Sequence, residues 1–185
     1  MKTATYRLEL LFPEATIRRR LAEMATELRP RLRDGLLVVG IFKGAILFTA
    51  DLIRALSRLP GPKGVEVDFL VVSSYGQGGV SSGQVELLCD CRTPVAGRQV
   101  LLIDDIIDTG HTLDMVAKHL RDQGAAEVIT CLLLDKPERR QVSFTPDAVG
   151  FRIPDLFVVG YGLDFASHHR ELPDLMSLHH EETTP

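Results

Sequence analysis

The chain has 185 residues, 45% hydrophobic and 25% charged, with a formal net charge of −4. That length suits a single domain with a sizeable core, and the composition is ordinary for a globular protein. The acidic balance gives no general pull toward nucleic acid, and no apolar run reaches the length of a membrane span. Cys89, Cys91 and Cys131 form no C-x-x-C pair and read as reduced thiols. The first ten residues carry Lys2, Arg7 and Glu9 without an apolar stretch, so the expected compartment is the cytoplasm.

Behind Pro13, the residues Ile17, Leu21, Met24, Ala25 and Leu28 recur at helical spacing, with Arg18, Arg19, Arg20 and Glu23 on the wet face. Residues 36–41 read as a buried strand and 44–59 as the following helix, stopped by Pro60-Gly61-Pro62. Val65, Val67, Phe69 and Val71 alternate with Glu66 and Asp68, giving a strand that runs to 73–75. Residues 76–83, rich in Gly and Ser, predict a mobile loop, and Val85, Leu87 and Cys89 a returning strand. A strand over 100–104, a helix over 109–123 and a strand over 128–134 follow, then short strands near 148–153 and 157–161. The polar tail after Leu175 is expected to fray. This alternation implies an α/β fold, a mostly parallel twisted sheet flanked by helices, with no internal repeat and no second domain. Ligands of such sheets bind beyond the carboxyl ends of the strands, where Lys43-Gly44, residues 104–112 and Lys136 all fall.

Within residues 100–112 an apolar run ends in Asp104-Asp105, and Asp108 precedes a Thr109-Gly110-His111-Thr112 turn. Leu113, Val116, Ala117 and Leu120 then continue at helical spacing. Acids at a strand end suit a hydrated Mg²⁺, and small or hydroxylated residues opening a helix suit a phosphate. A P-loop nucleotidase needs G-x-x-x-x-G-K-[ST], which is absent from the chain. A phosphoacceptor receiver domain has an acidic pair and a Lys-Pro. Here Lys136-Pro137 follows Asp105 too soon for the intervening βα units, each of about 30 residues. A sugar-phosphate site survives both eliminations.

Three further stretches extend the pattern: Leu134-Asp135-Lys136-Pro137, then Ile153-Pro154-Asp155-Leu156-Phe157-Val158-Val159-Gly160-Tyr161-Gly162-Leu163-Asp164, then Arg170. With residues 104–112, Gly40-Ile41-Phe42-Lys43-Gly44 and Ser73-Ser74-Tyr75, they make the chain resemble the type I phosphoribosyltransferases, in their 6-oxopurine (hypoxanthine-guanine) branch, over about 36–173. The resemblance implies one domain over 1–185, with a core of about 36–135 and a small hood from about 1–30 and 136–178. It implies transfer of ribose 5-phosphate from phosphoribosyl pyrophosphate to N9 of hypoxanthine or guanine, with Mg²⁺ as cofactor and a homodimer or homotetramer as the assembly.

By the same resemblance Asp108 takes up a proton near purine N7, and Asp108, Thr109, Gly110, His111 and Thr112 hold the 5-phosphate. Asp104 and Asp105 flank the ribose and metal, where the family commonly has Glu-Asp, and Asp164 is a further metal-side acid. Lys136, Phe157, Val158 and Asp164 receive the purine. Lys43, Gly44 and Arg170 receive pyrophosphate, with a cis peptide before Lys43, and Ser74 and Tyr75 open a flexible lid. An ammonium at Lys136 has donors only, which favours a 6-oxo over a 6-amino purine. The rival readings are a xanthine-preferring enzyme and a regulator that keeps the fold to bind nucleotides or RNA. The histidine pairs His168-His169 and His179-His180 lack completing ligands and read as surface residues.

Overall fold

The computed structural model describes residues 6–74 and 85–180. Strand β1 (Tyr6–Phe12) and helix α1 (Glu14–Leu28) lead into β2 (Leu37–Phe42), α2 (Ile46–Ser57), β3 (Glu66–Ser74) and β4 (Val85–Cys89). Then come β5 (Gln99–Ile107), α3 (His111–Asp122), β6 (Glu127–Asp135), β7 (Ala148–Arg152), β8 (Phe157–Val159) and β9 (Leu175–His180). Six strands form one sheet in the order β4-β3-β2-β5-β6-β7, parallel except for β4.

Alternation along these strands sends neighbouring side chains to opposite faces. Val38, Leu101, Ile103, Ile129 and Leu133 join the apolar stripes of α1 and α2, whereas Leu37, Val39, Leu102 and Leu132 join the stripe of α3. All five apolar positions read as the inner face of the first helix, Ile17, Leu21, Met24, Ala25 and Leu28, are buried. The chain passes from β2 outward to β3, then returns to place β5 on the other side of β2. The turns after β2 and β5 therefore diverge at a switch point and leave a crevice between them.

Three expectations need correction. The acidic pair does not end its strand: β5 continues to Ile107, because parallel pairing with β6 matches Asp104 to Leu132 and Ile106 to Leu134. The helices begin two residues late, at Ile46 and His111. From Leu175 to His180 the tail is not frayed; it forms β9, which lies between β1 and β8 in a second, three-stranded sheet. The loop expected over 76–83, and Tyr75 with it, lies outside the described residues; Ser74 is the last residue of β3. No helix among the described residues is long and apolar enough to cross a membrane.

Candidate active site

Three turns converge at the switch point. After β2 the Phe42–Lys43 peptide is cis and Lys43 is exposed. A Cβ on Gly44 would stand 1.7 Å from Asp105 Oδ2, so only glycine lets that carboxylate lie against the turn. On the other side, a Cβ on Gly162 would come within 2.2 Å of the Gly44 carbonyl oxygen. Arg170 donates from Nη1 to the Gly162 carbonyl at 2.6 Å and pairs through Nη2 with Asp164 Oδ1, also at 2.6 Å.

Asp104 is 6% exposed, and its Oδ1 accepts the Asp105 backbone N–H at 3.0 Å. Burial, followed by the charge of Asp105, pushes the Asp104 carboxyl well above the ordinary range. Burial also raises Asp105, while hydrogen bonds from Asp104 and the Ile106 N–H, with the nearby Arg170 charge, hold it back. An acid pair of this kind, with Asp104 buried and Asp105 half-buried, fits a hard divalent cation. Among the described residues no three His, Cys, Asp or Glu side chains group as a metal site. Asp164 is instead committed to Arg170 and to the Ser167 N–H at 2.7 Å. A cation on the Asp104-Asp105 pair would complete its shell with water and substrate oxygens.

Below the pair, Gly110 is left-handed at φ +92° and is the N-cap of α3, with no side chain bonded to the helix end. Asp108 does not cap the helix. Its Oδ1 accepts Arg139 Nε at 2.9 Å, and its backbone carbonyl accepts Arg140 Nη1 at 2.9 Å. Without a side-chain cap, the free N–H groups and dipole of the helix start face a cavity of about 350 Å³ lined in part by Asp105, Asp108, Thr109, Gly110, Thr112 and Arg139. His111 is not in that lining; its Nε2 lies 3.3 Å from Gln141 Oε1.

A second cavity, of about 210 Å³, shares Asp105 and Asp108 with the first and is lined by Lys136, Phe157, Val158, Leu163 and Asp164. Lys136 is only 8% exposed, while the Phe157 ring is 46% exposed and backed edge-on by Phe165 at 5.5 Å. An open aromatic face beside a nearly buried ammonium suits a flat heterocycle with a hydrogen-bond acceptor. Arg139 and Asp155 escaped the sequence reading. The trace available was their place in the Lys136-Pro137-Glu138-Arg139-Arg140 and Ile153-Pro154-Asp155 stretches, but nothing in those stretches says that the two side chains meet.

Such a crevice defines a class: α/β proteins that grip a phosphorylated ligand between a glycine turn and a helix start at a switch point. Residues 16–166 match the model of the phosphoribosyl transferase domain. The hypoxanthine-guanine phosphoribosyltransferase of Aquifex aeolicus is 43% identical over 171 residues, which span 91% of this chain and 93% of the relative. That of Bacillus subtilis is 42% identical over 166 residues, 89% of each. A solved hypoxanthine phosphoribosyl transferase of Trypanosoma cruzi superposes with a TM-score of 0.85 at 40% identity, over 97% of this chain and 93% of that one. The chain belongs to the phosphoribosyltransferase family.

Proposed function

We propose that this protein is a purine-salvage transferase that moves ribose 5-phosphate from phosphoribosyl pyrophosphate to N9 of hypoxanthine or guanine, releasing pyrophosphate. The observation that carries this reading is that the helix-start cavity and the Lys136–Phe157 cavity meet at Asp105 and Asp108. A sugar phosphate in the first would turn its anomeric carbon toward a base in the second. Breaking the C1–O bond builds positive charge on the ribose and negative charge on the leaving group, so both ends of the donor need fixed partners.

The N–H groups around Gly110, with the Thr109 and Thr112 hydroxyls, take the 5-phosphate. Gly44, Lys43 and Arg170 take the pyrophosphate, Arg170 leaving Asp164 to do so. Asp104 and Asp105 lie beside the ribose hydroxyls and, with Asp164 nearby, bind Mg²⁺, which when bound neutralises the leaving pyrophosphate. Lys136 donates to purine O6, Phe157 stacks on the ring and the Val158 backbone reads its edge. Asp108 accepts a proton at N7 as N9 is alkylated. The three-stranded sheet acts as the hood of a single-domain enzyme. Assembly as a homodimer or homotetramer and residence in the cytoplasm complete the proposal.

Phosphoribosyl pyrophosphate, Mg²⁺ and each of hypoxanthine, guanine, xanthine and adenine, followed spectrophotometrically, test it. Turnover with hypoxanthine and guanine but not adenine is expected; absence of turnover with every base overturns the reading. Preference for xanthine would replace the base assignment while leaving the transfer intact.

A further inference from the structure

The loop after β6 puts a second ionic structure across the two cavities. A short 3₁₀ turn, Pro137–Arg139, closes with the Arg139 N–H on the Lys136 carbonyl at 3.1 Å, and the Gln141 N–H returns to the Thr109 carbonyl at 3.0 Å. That path carries Arg139 over the turn after β5. Arg139 Nε bonds Asp108 Oδ1 at 2.9 Å, and its Nη1 lies 3.4 Å from Asp155 Oδ2. The other oxygen of Asp155 stands 3.8 Å from Lys136 Nζ. Asp155 thus divides its two oxygens between the arginine on Asp108 and the lysine of the base cavity.

We propose that Arg139 and Asp155 are positioning residues of the transfer reaction, a bridge that fixes Asp108 and Lys136 relative to each other along one edge of the bound purine. This rests on the function proposed above, in which those two groups address N7 and O6 on the same edge of one purine. The arginine engages only one carboxylate oxygen of Asp108; among the described residues no donor reaches Oδ2. Oδ1 is anchored and Oδ2 remains for the ring proton. The backbone of Asp108 is anchored separately by Arg140, which also pairs with the nearly buried Asp135. Arg140 therefore holds the loop, while Arg139 sets the direction of the carboxylate.

On the other side, Lys136 is nearly buried, and Asp155 is the carboxylate within ion-pair distance of it among the described residues. A long, rotatable ammonium without that partner would sample several directions, whereas the bridge points it at one acceptor. Fixing two groups on neighbouring acceptor positions along one edge of a planar substrate acts through geometry, where small misplacements are amplified in rate.

The test is steady-state kinetics with hypoxanthine and phosphoribosyl pyrophosphate on Arg139→Gln, Arg139→Lys, Asp155→Asn, and Arg139→Gln combined with Asp108→Asn. Arg139→Gln should lower kcat about tenfold or more with little change in the KM for phosphoribosyl pyrophosphate. Arg139→Lys should recover part of it. Asp155→Asn should raise the KM for hypoxanthine about fivefold and leave that for phosphoribosyl pyrophosphate within about twofold. In the Asp108→Asn background, Arg139→Gln should do nothing further, because its effect passes through that carboxylate. Thermal unfolding of each variant identifies a misfolded one, and since the bridge is half exposed the melting points should stay near wild type. Unchanged kcat in Arg139→Gln, or an undiminished effect in the Asp108→Asn background, overturns the proposal. Equal rises in both KM values with a lowered melting point also overturn it, by making the role structural. Wild-type turnover with unaffected variants sinks this inference alone; absence of wild-type turnover sinks it together with the proposed function.

Discussion

Gly44 carries no side chain because the Asp105 carboxylate already fills that space, and its carbonyl meets Gly162 on the far side. The turn thus touches the acid on one side and Gly162 on the other, and a methyl group on Gly44 must displace the Asp105 carboxylate. Gly44→Ala should cost about 1–3 kcal/mol of stability, the usual range for overpacking. It should raise the KM for phosphoribosyl pyrophosphate far more than that for hypoxanthine, since Gly44 lines the sugar-phosphate cavity and not the base cavity. Thermal melts and paired substrate titrations check both; equal KM values in the variant and wild type would separate this turn from the donor site. Residues 104–112 were legible in the sequence because their chemistry is consecutive: two acids, a third acid, then a helix start, each recognisable without knowing what lies nearby. Arg139 and Asp155 were not, because a surface arginine and a loop acid are ordinary residues until the fold brings them together. The same holds for the contact between Gly44 and Asp105, which joins two turns far apart in the chain and is visible only in three dimensions.

At the level of elements, the parallel core was readable because each strand carries its own apolar run and each helix its own stripe, and both periodicities are local. The ends of the chain were not. Leu175-Met176-Ser177-Leu178-His179-His180 lacks clean alternation and carries three polar residues. Its strand exists because β1 supplies one partner, Glu9 opposite Ser177, and β8 the other, Val158 opposite Ser177. Information of that kind is spread over the whole length of the chain and leaves no mark in a short window. The consequence for the site is direct, since Phe157 and Val158 ride on β8 and Phe157 pairs with Leu178. Ser177→Pro removes a donor and inserts a ring in the central strand of this sheet, where proline is not accommodated. A loss of about 3 kcal/mol is expected, with weaker hypoxanthine binding and a smaller effect on phosphoribosyl pyrophosphate, measured by chemical denaturation and by KM. A variant that melts and binds like wild type would mean that the tail is frayed after all.

Over the whole molecule, two sets of carboxylates act on stability with opposite signs. Asp147 is pushed up by partial burial but held below its ordinary range by Arg31 and by the Thr130 N–H and hydroxyl. Glu27 is held low by Arg20, which also reaches the Val149 and Gly150 carbonyls and so ties α1 to β7. A lowered carboxyl stabilises the fold above its unfolded value, near 4, and that stability is lost as pH falls through the folded value. Asp104 and Asp105 work the other way. Their folded values are raised, so the native state holds protons that the unfolded chain has released, and stability falls as pH rises from about 4 through the folded values. The ligand-free protein should therefore lose stability on both the acid and the alkaline side. Asp104→Asn removes the larger penalty of the pair while keeping the side chain's size. Its melting point should exceed that of wild type at pH 8 by on the order of 2–4 °C, the shift that about 1 kcal/mol produces in a chain of this length. At pH 4, close to the ordinary carboxyl value, the raised Asp104 carboxyl keeps its proton in the native state and little of its penalty is left, so the two proteins should melt together. Adding Mg²⁺ and phosphoribosyl pyrophosphate should reverse the order at pH 8, because the charge that burdens the empty crevice is the charge the ligand needs. If ligand-free Asp104→Asn melts at or below wild type at pH 8, the acid pair is not held in the strained state that its burial implies, and the crevice is already compensated by the protein itself.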